Sequence, residues 1–189
     1  MRALHTIHTL TIRMMLVVTF LSLATAAVSA QTVTVGCAGA AGTFNYTSLG
    51  AALAALQPNE AQYQEVIVSG TCTEAVEIGA FADLAITGTP GATITNPGNL
   101  AIGSAAKILE LRNLTIGPAG LGLFVRTGSV TLTNCIIHEA GVGLEVRPQS
   151  QADLNSTTIE DNDRGIELTG PGGFLFIEFS NAIRITELA

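Results

Sequence analysis

The sequence predicts an all-β chain wound as a stacked solenoid, and three observations carry that prediction. One pattern is written three times: Leu111-Arg112-Asn113-Leu114-Thr115-Ile116 returns as Leu132-Thr133-Asn134-Cys135-Ile136-Ile137 and again as Leu154-Asn155-Ser156-Thr157-Thr158-Ile159. Each copy is followed by a Gly-apolar-x-apolar unit: Gly122-Leu123-Phe124-Val125, Gly143-Leu144-Glu145-Val146 and Gly165-Ile166-Glu167-Leu168. The steps between equivalent residues are 21 and then 22. Short alternating runs at such a period signal stacked turns, not a globular sandwich.

Each period then makes one turn of a wide coil of short strands. Adjacent turns lie about 4.8 Å apart and hydrogen-bond to each other. Alternation sends Leu109 and Leu111 inward and Glu110 and Arg112 outward; Leu123 and Val125 face in and Phe124 faces out. Leu111, Leu132 and Leu154 should form one buried ladder, and Ile116, Ile137 and Ile159 another. Asn113, Asn134 and Ser156 share the inward parity of the Leu ladder at a corner, where polar side chains can satisfy turn backbone. Gly122, Gly143 and Gly165 fit a sharp bend between strand runs.

These L-x-N-x-x-I and G-I-x-L runs resemble the repeats of the right-handed parallel β-helix proteins of the pectate-lyase-like superfamily. The resemblance implies a single-stranded, right-handed parallel β-helix of the pectin-lyase type, behind a short N-terminal capping helix. At about 22 residues per turn the chain holds roughly five to seven turns. That superfamily hosts lyases, hydrolases, esterases, adhesins and proteins without known activity, so the resemblance specifies architecture and leaves the chemistry open.

Taken from its start, the chain opens on a secretory signal peptide over residues 1–30. Arg2 and Arg13 supply a positive beginning, residues 14–23 an apolar core, and Val28-Ser29-Ala30 a small-residue cleavage pattern. The apolar run is shorter than the ~20 residues of a comfortable membrane span. The mature protein, residues 31–189, is expected to be soluble and secreted, extracellular or periplasmic, without stable membrane insertion after cleavage. Its basic residues are Lys107, Arg112, Arg126, Arg147, Arg164 and Arg184, against 15 acidic residues in the whole chain, all beyond the leader. That balance argues against nucleic acid and anionic membrane surfaces as partners.

Cys37 precedes the repeats, Cys72 sits in Gly70-Thr71-Cys72-Thr73-Glu74, and Cys135 lies inward between Leu114 and Thr157 of neighbouring turns. Export makes a Cys37–Cys72 disulfide the best pairing. Cys135 reads as a buried free thiol, and the scattered cysteines with one mature histidine do not make a zinc site. Residues 47–57 form the capping helix: Thr47 or Ser48 caps it, Leu49, Leu53 and Leu56 share a face, and Gln57-Pro58-Asn59 ends it. The coils run from residue 65 to 189. Strands are expected at 65–69, 75–78, 83–87 and 92–95, with Gly88-Thr89-Pro90-Gly91 as a turn.

Phe44, Ser48, Leu49, Ala51, Ala52 and Leu53, then Val66 to Val68, Gly70, Thr71, Thr73, Glu74, Val76 and Ile78, resemble the opening of secreted bacterial β-helix proteins. They are loosely similar to pectin methylesterases as well. In that group a helix here covers the open first turn. The closing stretch, with Phe174, Phe176 and Phe179, is strand-like but leaves the repeat and fits no single register. An uncovered last turn would invite association, so three alternatives stay open: the chain is a piece of a longer protein, a partner covers the turn through oligomerisation at the C-terminal end, or its own aromatic side chains cover it.

Reactive groups gather at the corner after the Ile ladder. His138 should lie above Glu160 and Glu139 above Asp161, with Asp163 and Arg164 in the same turn. Paired carboxylates can act as acid and base across a glycosidic bond. In lyases of the resembling superfamily, carboxylates hold calcium and an Arg assists. The candidate catalytic residues are therefore Glu139, Asp161, Asp163, His138 and Arg164, with calcium the one cofactor a lyase reading would require and none otherwise. Asp161-Asn162-Asp163-Arg164-Gly165 is equally ordinary turn composition. The Q-D-T-L, N-T-D and W-I-D-H signatures of the superfamily's esterases, polygalacturonases and pectate lyases are missing. An outward column, Phe124, Glu145 and Glu167 beside Arg126 and Arg147, reads as a surface ion-pair network. The leading expectation is a secreted solenoid that binds polysaccharide or a cell-surface glycan through one face. The rivals are a polysaccharide lyase or glycoside hydrolase acting on uronate polymers, and a structural piece of a larger surface protein.

Overall fold

The computed structural model describes residues 30–56, 62–172 and 174–178. The leader, the Gln57-Pro58-Asn59 helix stop, Phe179 and Arg184 lie outside the described residues. The fold is an all-β parallel solenoid of about five turns with one helix.

The first turn is β2 (Tyr63–Ser69), β3 (Thr71–Thr73) and β4 (Val76–Ile78). The second is β5 (Asp83–Gly88) and the long β6 (Thr93–Ser104), and the third β7 (Ile108–Arg112) and the long β8 (Thr115–Val125). The fourth holds β9 (Ser129–Thr133), β10 (Ile136–His138) and β11 (Ala140–Val146). The fifth holds β12 (Gln151–Asn155), β13 (Thr158–Glu160) and β14 (Arg164–Leu168). β1 (Gln31–Gly36) precedes them, and β15 (Phe174–Glu178) follows.

Three walls result. The first is the sheet β1-β2-β5-β7-β9-β12-β15. The second stacks β3, the front halves of β6 and β8, β10 and β13; the third stacks β4, the back halves of β6 and β8, β11 and β14. Between them run the apolar ladders. Val33, Val66, Ile86, Leu111, Leu132 and Leu154 stand over one another in the first wall. Cys72, Ile94, Ile116, Ile137 and Ile159 do so in the second, and Val76, Ile102, Leu123, Leu144 and Ile166 in the third. All but the partly buried Ile166 are buried, and each such side chain contributes about 1.5–3 kcal/mol through removal from water.

Two expectations about the corners are corrected. Asn113, Asn134 and Ser156 do not point inward; they are exposed, with φ of 54°, 54° and 50°. A left-handed residue interrupts the strand alternation, so the next residue, Leu114, Cys135 or Thr157, turns into the core. Asn tolerates that conformation better than most residues. Gly122, Gly143 and Gly165 are not at bends; they lie within β8, β11 and β14. Their reason is space. A Cβ on Gly122 would sit 2.6 Å from the Gly143 carbonyl oxygen, and one on Gly143 2.7 Å from that of Gly165.

The second turn is longer than its neighbours because of its register shifts: β6 slips against β8 between Ile94 and Asn96 and between Asn96 and Leu100. Asn96 Nδ2 closes that bulge by donating to Leu100 O at 2.8 Å.

The helix α1 runs Leu49–Ala55, shorter than 47–57 because Ser48 has extended backbone and acts as the cap, its hydroxyl accepting from Ala51 N at 3.1 Å. Glu74, in the first turn of the solenoid, adds a second cap: its two carboxylate oxygens accept from Leu49 N and Gly50 N at 2.8 and 3.0 Å. Leu49, Ala52 and Leu53 are buried over the end of the core. β1, which alternates as Val33 and Val35 in, is itself covered. Thr34 N donates to Asn45 Oδ1, Thr34 O accepts from Asn45 N and Tyr46 N, and Gly36 N donates to Tyr46 O.

At the other end β15 places the aromatic residues. Phe174 and Phe176 pair with Gln151 and Asp153 and face out, 58% and 52% exposed, while Leu175 turns toward the core.

Candidate functional site

The acidic corner is built as the sequence aligns it, with His138 paired to Glu160 across β10 and β13. Glu139 and Asp161 are both left-handed, at φ of 52° and 53°, so each carboxylate stands on a corner residue of its own turn. The Glu139 side chain is 62% exposed, and His138 Nδ1 lies 3.8 Å from it. Asp161 and Asp163 are exposed, and Arg164 turns away to Glu167 at 2.7 Å. A glycosidic acid and base need a cleft that shields the bond between them. A solvated outer corner offers none.

The residue that organises this corner is one the sequence reading passes over as turn filler. Asn162 is 4% exposed; its Oδ1 accepts from Ala140 N at 2.8 Å and its Nδ2 donates to Ile137 O at 3.2 Å. The signal was available: alternation sets Asp161 and Asp163 on one face and Asn162 on the other, and only the uncharged side chain can be buried without a costly unpaired charge.

The third wall carries the outward column Glu77, Gly103, Phe124, Glu145 and Glu167. Arg126 reaches over Gly103 to bind Glu77 through two hydrogen bonds, at 2.6 and 2.9 Å. The Glu77 hydrogen bond raises the Arg126 pKa further and keeps the guanidinium charged. Arg126 and Arg147 both lie over the Phe124 ring, 5.1 and 4.9 Å from its centroid, and Arg147 also meets Glu145 at 3.1 Å. These charges satisfy one another across the turns.

The first wall differs. Its outer face carries a hollow of about 300 Å³ lined by Gln151, Asp153, Asn155 and Phe176. Alternation along β12 points the three polar side chains outward, while Ala152 and Leu154 fill the core. Gln151 Nε2 donates to both Asp153 oxygens at 3.1 Å, which fixes the carboxylate. Ser129, Thr131 and Thr133 stand beside them on β9, and Glu110 and Arg112, ion-paired to each other, on β7. The result is a flat array of short hydrogen-bonding groups edged by two exposed aromatic rings.

At the N-terminal end, Cys37 and Cys72 are joined by a disulfide with Cα atoms 5.0 Å apart, under a hollow of about 250 Å³ walled by Thr47, Ser48, Thr71 and Thr73. Glu74 lies within 4.8 Å of both sulfurs. The sulfurs are bonded to each other and the Glu74 oxygens hold the helix, so this trio has no thiolate to offer a metal. Cys135 is free and buried, its thiol pushed up by burial and donating to Leu111 O at 3.3 Å.

No protein-family model, no curated protein and no solved structure matches the chain.

Proposed function

We propose that this chain is an exported, right-handed β-solenoid that binds cell-surface or polymeric carbohydrate on the outer face of its first wall, without catalysis. The observation that carries the reading is the hollow formed by Gln151, Asp153, Asn155 and Phe176. Sugar binding needs an exposed aromatic plane for the pyranose C–H face and convergent short polar groups for its hydroxyls. The first wall supplies both in register. Export rests on the leader pattern of the sequence, Arg2 and Arg13, the apolar run over 14–23 and Val28-Ser29-Ala30; the secreted protein should begin at Gln31 on N-terminal sequencing.

The test is titration calorimetry of the secreted protein against neutral and charged oligosaccharides. Binding in the micromolar to millimolar range, about 4–8 kcal/mol, is expected, with Phe176→Ala weakening it at least about tenfold. Phe124→Ala, on the third wall, should leave it unchanged. Absence of binding at millimolar sugar, or equal binding by Phe176→Ala, removes the reading. Release of unsaturated products or reducing ends from a uronate polymer, abolished by Asp161→Ala or Asp163→Ala, would instead establish the corner as a catalytic site.

A further inference from the structure

Resting on that reading of the first wall, we infer that its hollow selects amino sugars, pyranoses carrying a protonated 2-amino group as in glucosamine polymers, over uronates. The argument begins with charge. Among the described residues that line the hollow, Asp153 is the ionisable one. Its carboxylate is held by Gln151 Nε2, which contacts both oxygens and leaves each with a lone pair for a further donor. Among the described residues, the rest of the wall's outer face adds Glu65, Asp83 and Glu110, while its cation, Arg112, is bonded to Glu110. An anionic sugar approaching here meets uncompensated negative charge; an ammonium group meets attraction.

The aromatic ring points the same way. Phe176 is the register partner of Asp153 on the adjacent strand, and it is half exposed. A carboxylate beside an accessible ring is a double attractor for a cation: one charge, one negative ring face. The same ring packs the C–H face of the pyranose. Ser129, Thr131 and Thr133, one turn back, offer hydroxyls along the direction in which an oligomer would extend. Charge, ring and hydroxyl row thus converge on a sugar that is polar, flat-faced and positive.

The experiment compares four probes by calorimetry on the secreted protein: a β-1,4-linked glucosamine hexamer, its N-acetylated counterpart, a galacturonate oligomer and oligolysine. The pH is kept below the sugar amine's pKa. The glucosamine hexamer is expected to bind at least about tenfold more tightly than the galacturonate and to weaken as salt rises. Asp153→Asn should weaken the glucosamine hexamer about two- to fivefold, the range of an exposed ion pair, and leave the acetylated hexamer unchanged. Phe176→Ala should weaken both. Galacturonate binding as tight as glucosamine overturns the inference, as does an Asp153→Asn variant with unaltered glucosamine affinity, or oligolysine binding at the hollow while the sugars do not. Equal, Phe176-dependent binding of all three sugars leaves carbohydrate recognition standing and removes the amino-sugar preference. Failure of every sugar to bind removes both.

Discussion

Replacing Asn162 should do more damage than replacing any carboxylate around it. Asn162→Ala removes the acceptor of the Ala140 N–H and a donor to Ile137 O, both buried at the junction of β10 and β11. A buried N–H left without its partner costs about 1–3 kcal/mol, and loss of the second bond about 1 kcal/mol more. The total is about 3 kcal/mol, which for a domain of this size lowers the melting temperature by roughly 6–12 °C. Asn162→Leu separates loss of polarity from a cavity, because it keeps the branched shape of the side chain, fills the space and loses both hydrogen bonds. The assay is thermal and urea unfolding of the oxidised protein, joined to hydrogen exchange at the Ala140 amide. Both variants should lose stability and speed exchange there. If Asn162→Leu unfolds within about 0.5 kcal/mol of the parent and Ala140 keeps its protection, the side chain is filling space and the reasoning fails.

Other outcomes follow from the same contacts. Reducing Cys37–Cys72, which closes a loop of 35 residues, should cost about 4 kcal/mol on the chain-entropy estimate, seen as a lower melting temperature in reductant that Cys37→Ser reproduces. Gly143→Ala should destabilise by about 1–3 kcal/mol, since its Cβ meets a backbone oxygen that cannot swing aside; an unaltered urea midpoint would show the turns stacked less closely than described. Burial raises the Cys135 thiol pKa, so the unfolded chain ionises first as pH rises. The associated stability is fully present below the ordinary thiol pKa and is lost as pH climbs above it toward the folded value, by up to about 1.4 kcal/mol per pH unit. Cys135→Ala should remove that alkaline decline from a stability–pH profile; an unchanged slope would mean that another group causes it.

The ladders were legible because their signal is redundant. Leu111, Leu132 and Leu154 each repeat one constraint, and a misreading of any one would break the alternation of its own strand. The corners were not, because alternation cannot say where it stops. A left-handed Asn113 looks, on paper, like another inward position, and only its φ shows that parity restarts at Leu114. The β6 bulge hid for a similar reason, since Asn96 to Asn99 add length without changing composition. Charge drew attention to Glu139, Asp161 and Asp163, while the buried partner of the same triplet, Asn162, carries no charge to mark it. The first-wall hollow went unread, although the alternation of β12 sets Gln151, Asp153 and Asn155 on one outward face. It becomes a site only when β15 sets Phe176 beside Asp153, a pairing 23 residues away that the irregular last step concealed.

The seal on β1 gives the molecule a polarity. Asn45 and Tyr46 occupy the outward backbone groups of Thr34 and Gly36, so a foreign strand cannot be added there by backbone pairing at those positions. A coil gained by duplicating a repeat would therefore be accommodated behind this lid and not in front of it.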